Sequence, residues 1–81
     1  MNDEFKDAFD AFVQKYAELL TGHHDEETIE KVKLFALYSH INKTMPALAK
    51  HWVSDNPAAK EEVKKIFADI QKMNQEHKST P

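Results

Sequence analysis

The stretch ALYSHINKTMPALAKHW, residues 36–52, decides how this chain folds. Leu34, Tyr38, Ile41, Met45, Leu48 and Trp52 recur at helical spacing straight through it, yet Pro46 stands in the middle. Proline has no N–H for the carbonyl four residues earlier, its ring clashes there, and it drives the preceding residue out of helical geometry. One helix kinked at Pro46 would run for about 25 residues, roughly 38 Å. A break at Lys43–Met45 instead gives two shorter helices, with Pro46 in the first turn of the second and Thr44 as its cap. The first helix of the chain is expected to be only about 27 Å long, so a compact bundle is easier to build with the break. The sequence therefore predicts an all-α, compact bundle of four helices at about 3–21, 25–43, 45–54 and 57–75. Three helices, the middle one kinked at Pro46, are the fallback.

The flanks support this division. Asn2 or Asp3 can accept from the free N–H groups of the first turn, and Asp3, Glu4 and Asp7 suit the positive end of the helix dipole. Phe5, Phe9, Phe12, Val13, Tyr16, Leu19 and Leu20 trace one apolar stripe, and Gly22 suits the left-handed residue that closes a helix. Asp25, Glu26 and Glu27 mark the start of the second helix. Around residues 34–38 that helix is apolar nearly all the way round, which calls for neighbours on more than one side. In SDNP, Asp55 or Asn56 caps the last helix and Pro57 fills its first turn. Ala59, Val63, Ile66, Phe67, Ile70 and Met73 form its stripe, and Glu61–Lys65 is spaced as an ion pair. Residues 1–76 read as a single helical domain and 77–81 as a frayed tail.

Composition narrows the function. The 81 residues include one Gly, three Pro, no Cys and 31% charged residues. A chain this short buries roughly 60–65% of the surface its unfolded form exposes. With no Cys, disulfides and thiolate metal sites are excluded, and a reducing compartment fits. The start, MNDEFKDAF, lacks the basic and apolar regions of a secretory signal. The longest apolar run, LFALY, is far short of the ~20 residues of a membrane helix. The expectation is a cytoplasmic protein with no membrane association. The net charge of −3 conceals an asymmetry. Residues 1–30 hold nine acids and two Lys, a net of −7, and residues 31–81 hold nine Lys and five acids, a net of +4.

No arrangement of reactive side chains emerges. No two histidines stand three or four apart, the spacing that lets a helix hold a metal. His40 and His51 could meet only by a sharp fold at Pro46. Ser39 and His40 are adjacent and so do not face each other on a helix. No glycine-rich loop exists to cradle phosphate. The expectation is no enzyme, no metal and no cofactor.

Two surfaces remain as candidates. Tyr38, Met45, Leu48 and Trp52 lie beside the proline break and form the candidate protein interface; Trp and Tyr are natural anchors of such sites. The plainer reading is that the other helices cover them. A second copy is one occupant, since a symmetric dimer is the default closed assembly. The alternative is a weak nucleic-acid binder using a lysine surface around residues 31–50. There Lys31, Lys33, Lys43 and Lys50 stand with no acid between 31 and 54. Lys43 and Lys50 are its candidate anion-facing pair. Arg, the commonest base reader, is absent, and Tyr38 and Trp52 read as core rather than stacking platforms.

The chain also resembles a known family. YAELLTG at 16–22, ALYSHINKTMPALAKHW at 36–52, AKEEVKKIFADI at 59–70 and NQEH at 74–77 are similar to the YusU-like family of short bacterial proteins. The resemblance spans almost the whole chain. It implies a small cytoplasmic protein of Gram-positive bacteria, with no activity or site residues to carry over. The function expected is thus a small non-enzymatic helical interaction module or adaptor.

Overall fold

A computed structural model describes residues 2–79, leaving out the side chain of Ser79. Its four helices are α1 (Asp3–Thr21), α2 (Glu26–Thr44), α3 (Pro46–Asp55) and α4 (Pro57–Ser79). The first boundaries are as the sequence dictates. Asn2 Oδ1 accepts from the Phe5 N–H at 2.7 Å, and Gly22, at φ 80°, closes α1 by donating to the Glu18 carbonyl at 2.8 Å. Asp25 caps α2, accepting from the Thr28 N–H at 3.1 Å and the Thr28 hydroxyl at 2.8 Å. These two bonds hold the Asp25 carboxyl below the usual carboxylate range.

The chain breaks at Pro46, not merely kinks. Met45, at φ −139° and ψ 66°, is the single residue between α2 and α3. Its N–H still bonds to the Ile41 carbonyl at 2.7 Å, while its own carbonyl accepts from Leu48 and Ala49. Thr44 does not cap α3 as expected. Its hydroxyl donates back to the His40 carbonyl at 2.8 Å, so it finishes α2 and leaves α3 without a side-chain cap. The second boundary carries a similar reversal. Asn56 Nδ2 donates to the Trp52 carbonyl at 2.9 Å, closing α3, and only the Asn56 backbone carbonyl receives the start of α4. Glu61 pairs with Lys64 at 4.0 Å rather than with Lys65. Helix α4 runs past the expected end at 75 through Ser79. Residues 80 and 81 of the expected tail lie outside the described residues.

The bundle measures 38 × 36 × 21 Å, and its thin axis is about two helix diameters. Helices α2 and α4 each meet all three others, whereas α1 and α3 stand on either side. The core is small: Ala17, Val32, Ile66 and Ile70, flanked by Leu20, Ile29, Leu34, Phe35 and Met73. Thr21 is buried beside it, its hydroxyl donating to the Ala17 carbonyl at 2.8 Å. Asn74 Nδ2 donates to the Leu20 carbonyl at 2.7 Å and ties the end of α1 to α4.

The aromatic stripe of α1 does not line the core: Phe5, Phe9, Phe12, Tyr16 and Leu19 are all exposed. Instead α1 buries Ala17 and Thr21, with Val13 and Leu20 half-buried. Ala17, with almost no side chain, lets α1 approach closely. Followed back toward the N-terminus at helical spacing, this inner line meets Asp10, Lys6 and Asp3. Charged residues there cannot enter a core without partners, so every residue from Asn2 to Phe12 stays exposed.

Candidate functional site

The proline break places the two halves of the opening stretch against each other. Helix α3 folds back beside α2, and Tyr38 of α2 meets Trp52 of α3 with ring centroids 6.3 Å apart. Tyr38 also meets the edge of Phe67 on α4 at 5.8 Å, and Phe67 meets Phe35 at 4.8 Å. The four rings form a ladder from the surface into the bundle. Between α2 and α3 a groove of about 290 Å³ opens, lined by Tyr38, Ile41, Leu48, Ala49 and Trp52. Its lining is wholly apolar.

Of the four residues expected at an interface, three line this groove. Leu48 is 55% and Trp52 45% exposed. Met45 sits at the break itself, 60% exposed, outside the groove lining. Ile41 and Ala49 line it as well. Ala49 is buried under the groove floor, and its spacing of three from Trp52 and eight from Ile41 was the available sign.

The lysine surface contracts in the folded chain. Lys31 Nζ lies 3.2 Å from Asp69 Oδ2 and 3.5 Å from Glu27 Oε1. The Asp69 hydrogen bond, more than any other contact, holds Lys31 above the usual lysine range. Lys33 Nζ lies 3.3 Å from Glu30 Oε1. Lys43 and Lys50 are exposed and stand on different helices, and neither has an ion pair among the described residues. His40 and His51 are likewise on different helices, and His51 Nε2 faces Asp55 Oδ2 at 3.3 Å. Among the described residues no group of three His, Cys, Asp or Glu comes together to hold a metal ion. No helix there is long and apolar enough to cross a membrane.

Fold and site define a small all-α bundle with an apolar surface groove. Within that class the chain belongs to the family of proteins of unknown function DUF2573, whose model matches residues 3–80. It is similar to YusU of Bacillus subtilis (strain 168), an uncharacterized protein. The two are 40% identical over 79 residues, which are 98% of this chain and 83% of that protein. The YusU-like resemblance of the quoted segments is thus a true relationship. No solved structure matches the chain.

Proposed function

We propose that the protein is a small non-enzymatic interaction module whose α2–α3 groove receives an apolar side chain of a protein partner. The observation that carries this reading is the pairing of exposed Trp52 and Leu48 with a preformed apolar groove. Trp is among the residues enriched at binding hot spots. The groove is too open and too apolar to orient a reacting group, which needs convergent polar side chains. A chain without cysteine suits the reducing cytoplasm, where we take the module to act.

A photo-reactive residue in place of Leu48 tests this in native lysate. A discrete protein adduct is expected. Trp52→Ala should abolish it, a loss of about 30-fold or more in affinity for a hot spot, while circular dichroism stays unchanged. Absence of any adduct overturns the reading, as does loss of fold on removing Trp52.

Nucleic-acid binding by the 31–50 surface is the weaker alternative, because of its lysines only Lys43 and Lys50 lack an ion pair among the described residues. Two phosphate contacts would give a salt slope of only about −1.4 on a single strand. Filter binding of a single-stranded RNA at low salt, with and without Lys43→Ala and Lys50→Ala, decides it.

A further inference from the structure

The outer face of α1 is the largest apolar feature that the groove does not use. Phe5, Phe9, Phe12, Tyr16 and Leu19 follow steps of 4, 3, 4 and 3 residues. That is the strict 3.5-residue seam by which two helices pack side by side, knobs into holes. All five are between 45% and 68% exposed. Their rings are already ordered along the helix. Phe5 and Phe9 stack at 6.1 Å and 12°, and Phe9 and Phe12 sit at 6.1 Å. At about 100° per residue, Asp3, Asp7 and Asp10 fall on the opposite side of the helix. Nothing charged interrupts the seam; Ala8 and Lys15 flank one side and Val13 and Lys6 the other.

We propose that this seam holds a second copy of the chain, α1 packed antiparallel against α1 of its partner. Three observations favour a copy over another occupant. First, the area reaches the needed scale: five half-exposed large side chains offer roughly 500 Å² per copy, so a pair buries at most about 1,000 Å², the threshold for a biological interface and the size of a weak one. Second, the seam is self-complementary. With the two-fold axis between residues 10 and 11, Phe9 meets the partner's Phe12 and Phe5 meets the partner's Tyr16, as an isologous contact requires. Third, the dipoles of the two helices select the orientation, and net charge adds to them only at longer range because Asp3, Asp7 and Asp10 face away from the seam. The first half of α1 carries Asp3, Glu4, Asp7 and Asp10 against Lys6, while the second half balances Lys15 with Glu18. A parallel pair would set acidic half on acidic half with helix dipoles aligned. The antiparallel pair sets acidic half on neutral half with dipoles opposed.

Sedimentation equilibrium of the full chain at about 100 μM, above the micromolar Kd values found for weaker interfaces, tests the proposal. The mass should be twice the 9.4 kDa of one chain. Phe9→Ser with Phe12→Ser should return it to one chain with helicity unchanged. Ala8→Glu, a helix-compatible change on the seam's flank, should do the same if the double variant fails to fold. The chain has no cysteine of its own. A mixture of Phe5→Cys and Tyr16→Cys copies should therefore cross-link under oxidation, and Phe5→Cys alone should not. A monomeric wild type, a dimer that survives Ala8→Glu, or rapid cross-linking of Phe5→Cys alone overturns the proposal. Trp52→Ala, which disables the groove, should leave the dimer intact, so the two readings fail separately.

Discussion

Helices α1 and α4 carry apolar stripes of nearly the same period and meet opposite fates. On α4, Val63, Ile66 and Ile70 are at most 9% exposed. On α1, the five large residues at 4-3-4-3 spacing are all exposed. The difference lies in what stands beside each stripe. Helix α4 meets α1, α2 and α3. Helix α1 touches its neighbours through a second, quieter line of Val13, Ala17, Leu20 and Thr21, where small side chains allow close approach. A periodic apolar stripe thus says that a helix forms and that something covers it. Whether the cover is the same chain depends on the residues a third of a turn away.

The strongest way to break this comparison is to truncate one residue from each stripe. Ile70, 1% exposed, touches the small core directly. Ile70→Ala should cost about 2–5 kcal/mol, enough to unfold much of a domain whose total stability is on the order of 5 kcal/mol. Phe12→Ala, at a site 68% exposed, should change the stability of the single chain by no more than about 0.5 kcal/mol. Urea unfolding at low protein concentration, where association does not contribute, measures both. Equal losses would mean that α1 buries its aromatic stripe after all.

Two smaller changes probe the joint between the helices. Gly22 closes α1 at φ 80°, and a Cβ there would lie 2.8 Å from His77 Nδ1 of α4. Gly22→Ala should cost about 1–2 kcal/mol from the left-handed backbone alone, and displaces His77 besides. Removing His77 as well, in the double variant Gly22→Ala with His77→Ala, should relieve the contact and leave the backbone cost. Asn74→Ala deletes the bond to the Leu20 carbonyl and should cost about 1 kcal/mol. Thermal melts rank the two. If Asn74→Ala is silent, α1 is held to α4 by Ala17 packing alone.

Much of the fold was legible because local chemistry and global packing agree. Pro46 and Pro57 both open helices, Gly22 closes one, and Asn2 and Asp25 cap as their side chains allow. Thr44 and Asn56 misled because each can bond either way along the chain, and only the closed geometry shows that both bond backward. The groove was partly legible. Tyr38, Leu48 and Trp52 share a stripe, but Ala49 is inconspicuous and Met45 falls outside. Lys31 stood in an acid-free stretch, and its partner Asp69 is 38 residues away. No periodicity marks such a pair. The inward line of α1 was the hardest to see, because its key member is an alanine.

The smallest expected effect separates capping from charge at the start of α2. Thr28 is buried, and its N–H and hydroxyl both donate to Asp25, which lowers the carboxyl's pKa. A carboxylate whose folded pKa lies below its unfolded value contributes stability above the unfolded value, about 3.9. That contribution is lost as pH falls through the folded pKa, since protonation then removes an acceptor the fold uses. Asp25→Asn keeps a capping side chain of comparable strength but cannot titrate. The wild type should therefore melt above Asp25→Asn at pH 6, and the gap should close steadily below pH ~4. A gap that stays constant down to pH 2 would mean that the geometry of the cap, and not its charge, holds Thr28 and the first turn of α2 in place.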